Sequence, residues 1–189
     1  MVNRERTFRR NFTLVEILVV MAILAVLMGM GLGVYSLAMG AAKRSKTEAL
    51  IKKIEIALET AKSKHGYYIQ SMTNNHFIIP DGSTAIAATE TTNPAMHEFC
   101  RVIDYESFKN GHTKTIGGAL VVIDAWQRPL YYRCPGLVNT STFDIISAGA
   151  DGLVTDKKLW NDDWTLGGDV TDAVIKAVNP KTSDDLANF

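Results

Sequence analysis

Phe12 to Ala42 reads FTLVEILVVMAILAVLMGMGLGVYSLAMGAA, an apolar run broken by one charge, Glu16. About 20 apolar residues cross a bilayer as a helix rising about 1.5 Å per residue, so the run predicts a membrane-spanning helix with residues to spare. In front of it, residues 1–11 (MVNRERTFRRN) carry Arg4, Arg6, Arg9 and Arg10 against Glu5. Arginines on a short leader keep it on the cytoplasmic side and send the remainder across. A cleavable secretory signal has an apolar region of about 7–15 residues ending at small residues. This run is longer and flows into a second helix. A plain signal anchor, or a buried helix of a soluble protein, accounts for hydropathy but not for Glu16. A carboxylate at membrane depth costs about 2–3 kcal/mol or more and calls for a partner. Gly29, Gly31 and Gly33 lie close together, and each costs a helix about 1 kcal/mol relative to Ala. They predict either a soft point in the helix or close packing of small residues.

Lys43 to Lys64 continues as an amphipathic helix. Leu50, Ile54, Ala57, Leu58 and Ala61 follow i, i+4, i+7, i+8 spacing and form one apolar stripe. Glu48–Lys52 is an attractive i,i+4 pair and Glu55–Glu59 a repulsive one, so the stripe, not surface charge, decides stability. Lys43, Arg44 and Lys46 are placed to meet lipid headgroups. His65-Gly66 ends the helix, with Gly66 suited to a left-handed C′ position. From Met1 to Lys64 there are 11 Lys+Arg and 5 Asp+Glu, leaving 9 against 15 of the 20 and 20. The start of the chain is basic and the rest acidic, while the overall charge of +0 points to no nucleic-acid partner.

Residues 67–118 are punctuated by Thr, Asn, Gly and Pro and read as a variable loop with a helical turn or two, one of them over Pro94–Ile103. His76, His97 and His112 have no metal-ligand spacing. After Gly118 the periodicity changes. Ala119–Ile123, Leu130–Cys134 and Phe143–Ser147 are short, rich in β-branched and aromatic residues, and separated by turn signals. They predict a three-stranded antiparallel sheet, too small to stand alone and so packed on the stripe. The fold class is α+β: a long N-terminal helix, half membrane and half amphipathic, on a small antiparallel sheet. The expected organisation is a leader (1–11), a transmembrane helix (12–42), a stalk helix (43–66), a variable region (67–118), and a sheet with acidic loop and tail (119–189).

Two cysteines, Cys100 and Cys134, leave both a disulfide and two buried thiols open. Asp151, Asp156, Asp162 and Asp163 crowd one loop. Calcium takes six to eight hard oxygen ligands, and an Asp-Gly turn followed by an Asp-Asp pair supplies that type. The spacing is not that of an EF-hand, and a solvated acidic loop answers equally to the residues.

Asn11 to Val20, Asn-Phe-Thr-Leu-Val-Glu-Ile-Leu-Val-Val, resembles the processing motif of type IV prepilins, in which a basic leader is cut before Phe and Glu stands fifth in the mature chain. The resemblance implies cleavage of Asn11–Phe12 by a prepilin peptidase, methylation of the new Phe12 amine, and polymerisation through the N-terminal helix. Glu16 of one subunit would meet the Phe12 amine of the next. Opposite charges near contact in a low-dielectric bundle remove each other's burial penalty and fix register. The family has Gly before the cut, where this chain has Asn11. Gly66-Tyr67-Tyr68 follows the Gly-x-Tyr step that ends the pseudopilin helix. Asp124-Ala-Trp126-Gln-Arg-Pro129-Leu-Tyr-Tyr132 resembles the Asp-Pro-Trp-Gly-x-Pro-Tyr-x-Tyr hairpin of the type II secretion pseudopilins, with Ala125 and Gln127 at two turn positions.

By that resemblance the expected function is that of a structural, non-enzymatic subunit of a secretion pseudopilus. It would sit in a bacterial inner membrane with a periplasmic head, and its partners would be copies of itself, an assembly platform and minor pseudopilins. The family's calcium site maps onto Asp151, the Ala148 carbonyl and Asp162/Asp163, with Asp156 a further candidate. A surface type IV pilin is the alternative, favoured by a Cys100–Cys134 bridge. A membrane-tethered metal-dependent hydrolase using the aspartates is the rival of a different class.

Overall fold

The structure is a computed structural model that describes residues 13–189 apart from 156, 164, 169 and 179–184; the side chains of 30–34 and 73 also lie outside the description. The leader 1–11, the expected scissile pair Asn11–Phe12 and Asp156 therefore fall outside the described residues. The architecture is α+β, with a long N-terminal helix and small antiparallel sheets. The chain divides into two compact units, 1–41 and 42–189.

Helix α1 runs Leu14–His65, and the first unit contains its opening part. Every described side chain from 13 to 29 and from 35 to 41 is exposed, including Leu14, Ile17 and Leu37. A helix that is apolar all round and uncovered presents a surface that water disfavours on every side. Among the described residues, no helix is long and apolar enough to cross a membrane.

In the second unit the stripe is as spaced in the sequence. Leu50, Ile54, Ala57, Leu58 and Ala61 are all buried, with Ile51 beside them. Fully burying a side chain such as Ile54 or Leu58 contributes about 1.5–3 kcal/mol. The helix stops at His65, where Gly66 takes φ +83 and its amide donates to the Lys62 carbonyl (2.7 Å). Surface pairing differs from expectation: Glu48 pairs with Arg44 (3.1 Å) and Lys52 with Glu55 (2.7 Å), so the expected Glu48–Lys52 pair does not form.

Residues 67–118 carry more regular structure than their punctuation suggests. They form β1 (Ile78–Ile79), α2 (Ser83–Thr92), α3 (Pro94–Val102), α4 (Tyr105–His112) and β2 (Thr113–Ile116). Helix α3 begins as its sequence directs, with Pro94 in the first turn and the Asn93 side chain accepting from the Met96 amide. Its buried face, Ala95, Met96, Phe99 and Cys100, adds to the core on the α1 stripe.

The expected three strands are present as β3 (Ala119–Val122), β4 (Tyr131–Arg133) and β5 (Asp144–Ser147), but they do not make one sheet. Strand β3 pairs with β1 and β2, whereas β5 pairs with β4 on one side and with β8 (Leu186–Ala187) on the other. The cause is the segment around Phe77. Its carbonyl accepts from the Val122 amide (2.8 Å) and its amide donates to the Leu130 carbonyl (3.4 Å), so it takes the hydrogen bonds that β3 and β4 would exchange. An Ile123–Pro129 bridge and bonds from Leu130 to Val122 and from Asp124 to Arg128 join the two segments at the turn end. Phe77 packs edge-on against Tyr132 (4.7 Å) and Phe99 (5.1 Å), locking the wedge in place.

Both faces of the β4–β5 pair are buried. Tyr132 and Ile145 face the α1 core, while Tyr131 and Ile146 face a second cluster with Val154, Trp160 and Ile175. That second cluster supports the acidic loop, which contains β6 (Leu153–Val154) and β7 (Lys157–Lys158), and helix α5 (Asp172–Lys176).

Candidate functional site

Two places carry the residues singled out by sequence: the start of α1 and the loop after β5. At the first, Thr13 and Glu16 form a reciprocal cap. The Thr13 amide and hydroxyl each donate to Glu16 Oε2 (2.8 Å), and the Glu16 amide donates to Thr13 Oγ1 (3.3 Å). Thr-x-x-Glu before an apolar run is the capping-box signature, and it satisfies helix donors that would otherwise lack partners. Sequence reasoning assigned Glu16 to a neighbouring subunit and passed over Thr13, although the signature was present in Thr13-Leu-Val-Glu16.

The loop leaves β5 beside a turn in the β3–β4 connection that is built on Asp124. Its Oδ1 accepts from the amides of Trp126 (2.8 Å) and Arg128 (2.9 Å), and Oδ2 accepts from the Ser147 hydroxyl (2.7 Å). Burial pushes the Asp124 carboxyl up, and the Arg128 amide, the Ser147 hydroxyl and the Trp126 amide pull against it. Gln127, at the position where the resembling hairpin has Gly, adopts φ +67. The turn is thus built at the expected place with a side chain in left-handed backbone, and Asp124 is the residue that organises it. Trp160 anchors the far side of the loop: its indole N–H donates to the Pro129 carbonyl (2.8 Å) and its ring meets His76 edge-on (4.6 Å). No sequence spacing marked that pairing.

The described members of the expected calcium set, Ala148, Asp151, Asp162 and Asp163, lie in this loop but not on one point. The Ala148 carbonyl accepts from the Gly152 amide (3.0 Å). Asp151 accepts from the Leu153 amide (2.8 Å), an Asx turn. Asp162 pairs with Lys158 (2.6 Å). Asp163 accepts from the Thr165 hydroxyl (2.7 Å) and amide (3.0 Å), and those two donors, the hydroxyl first, hold its carboxyl below the usual range. Asp151 and Asp162 line a cavity of about 300 Å³ together with Arg128 and Lys158, whereas Asp163 lines a different one beside Asn74 and His76. Arg128 Nη1 donates to the carbonyls of Gly149 (2.6 Å) and Ala150 (3.1 Å). Among the described residues no three His, Cys, Asp or Glu side chains are grouped to hold a metal ion. As arranged, the described donors do not fit calcium, which needs carboxylates and carbonyls converging on one centre.

Cys100 and Cys134 are both free and buried, so the disulfide left open by the sequence is not formed. Burial pushes the Cys100 thiol up to about 12 and raises Cys134 as well. A concavity of about 790 Å³ lies along the stalk part of α1 beside Lys52, Glu59 and the exposed Ile56. Compared with protein-family models, curated proteins and solved structures, the chain matches none.

Proposed function

We propose that this chain is a structural subunit of a type II secretion pseudopilus, cut between Asn11 and Phe12 by a prepilin peptidase and polymerised through α1. The observation that carries the reading is the contrast along one helix. From Leu14 to Leu37 the described apolar side chains stand uncovered, while from Leu50 to Ala61 the same helix sinks its stripe into a packed head. An apolar helix exposed all round needs lipid or neighbouring helices, and a subunit that moves from membrane to filament exchanges one for the other. The Phe12–Glu16 motif and the Asp124–Tyr132 hairpin support a pseudopilin within the type IV pilin class. In this reading the inner membrane holds the unassembled subunit with its head periplasmic, and copies of itself, minor pseudopilins and the assembly platform are its partners.

Glu16 then serves twice, as cap of its own helix and as partner of the next subunit's Phe12 amine. A surface type IV pilin would draw support from a Cys100–Cys134 bridge, and both thiols are free. A metal-dependent hydrolase would use the loop aspartates, of which Asp162 is paired with Lys158 and Asp163 with Thr165.

N-terminal sequencing of the membrane-extracted protein, with and without an active prepilin peptidase, tests the reading. The expected mature chain starts at a methylated Phe12, and Glu16→Ala is expected to reduce filament incorporation about tenfold or more, the loss of a buried ion pair being worth about 3–5 kcal/mol. An intact Met1 in the presence of active peptidase, or normal incorporation of Glu16→Ala, refutes it.

A further inference from the structure

We propose that Arg128 is the resident cation of the acidic loop, so that the loop folds on an internal guanidinium and needs no divalent ion. The carbonyls of Gly149 and Ala150 both point at Arg128 Nη1, at 2.6 and 3.1 Å. The guanidinium also lies flat against Gly152: a Cβ added there would stand 2.9 Å from Cζ and 3.0 Å from Nε. Gly152 holds φ +81, a backbone conformation that favours glycine, and a Cβ there would push the guanidinium aside. Arg128 is itself tied down, since its amide donates to Asp124 Oδ1 and its carbonyl accepts from the Asp124 amide (2.8 Å).

The cavity at this point is lined by Asp151 and Asp162 on the negative side and by Arg128 and Lys158 on the positive side. Carbonyl dipoles and carboxylates gathered at a turn call for a positive charge, and the two N–H groups of Nη1 meet both carbonyl oxygens while the planar guanidinium rests on Gly152. Of the groups expected to hold calcium, the Ala148 carbonyl already accepts from the Gly152 amide (3.0 Å) and Asp162 already pairs with Lys158 (2.6 Å). The inference concerns the head alone and holds whether or not the chain assembles into a filament.

The test uses the full chain in detergent micelles, with thermal unfolding read by tryptophan fluorescence, because Trp126 and Trp160 flank the loop. Wild-type protein is expected to unfold at the same temperature, within about 1 °C, in EGTA and in millimolar CaCl₂. Arg128→Ala is expected to unfold about 5–10 °C lower, from the loss of two charge-assisted bonds. Arg128→Lys, which keeps the charge but not the planar guanidinium against Gly152, is expected to fall between them. A saturable rise of the wild-type midpoint with calcium that Asp162→Asn abolishes overturns the proposal, as does an Arg128→Ala midpoint equal to wild type. Should Arg128→Ala fail to fold, Arg128→Lys and the wild-type calcium titration carry the test.

Discussion

Glu98 is the ion pair whose loss should be most visible in the stability of the head. Its side chain is 3% exposed and stands between Lys64, in the last turn of α1 (2.7 Å), and Arg101 (2.6 Å), one turn on in α3. Hydrogen bonds from Arg101 first and Lys64 second hold the Glu98 carboxyl at about 2, against an ordinary 4.5, while burial works the other way. A depressed carboxyl contributes stability that is fully present above 4.5 and is lost as pH falls through 4.5 towards 2. A shift of that size corresponds to about 3 kcal/mol. Lys64 and Arg101 are 55% and 66% exposed, so solvent screening reduces the expected contribution to about 1–2 kcal/mol. Glu98→Gln is therefore expected to lower stability by about 1–2 kcal/mol at pH 7, and the gap to wild type should shrink through pH 4 and nearly close by pH 2. Urea midpoints of the full chain in micelles, read by tryptophan fluorescence at several pH values, measure the gap directly. A gap of constant size from pH 7 down to pH 2, or no gap at pH 7, refutes the assignment of Glu98 as the clamp between α1 and α3.

Gln127→Gly removes a side chain from left-handed backbone and should stabilise the head by about 0.5–1 kcal/mol, seen as a higher urea midpoint with an unchanged slope. Because the Cys100 thiol is pushed up to about 12 and buried, iodoacetamide at pH 8 should leave it unmodified in the folded protein and modify it in urea, as followed by mass spectrometry. Ile54 is fully buried in the stripe, so Ile54→Ala should cost about 2–5 kcal/mol in the same urea assay.

The α1 stripe was legible because its burial is one-sided, and the 3.6-residue period survives in the spelling from Leu50 to Ala61. The partition of strands was not. Tyr131-Tyr132 and Ile145-Ile146 are buried on both faces, which erases the alternation that tells a sheet's inner face from its outer one. Nothing local announces that Phe77 takes the bonds between β3 and β4. Helix α2 was hidden for the opposite reason: Ser83–Thr92 buries none of its side chains, so its composition carries no apolar face to find. In the acidic loop the aspartates were visible in the sequence, but the positive charge that answers its carbonyls comes from Arg128, across a strand pair. Spacing alone cannot reveal such a contact. Thr13 is legible too, as the first residue of the capping-box spelling Thr13-Leu-Val-Glu16.

The cap at the head of α1 has a bearing on timing. If the chain is held in a bilayer before assembly, as proposed, an acid already bound by the amide and hydroxyl of its own threonine would not be stranded there. Recruitment then becomes an exchange of one set of donors for another, governed by how quickly a newly cut neighbour presents its amine. In the proposed polymer, the threonine would hold the acid until then and the glutamate would set the alignment.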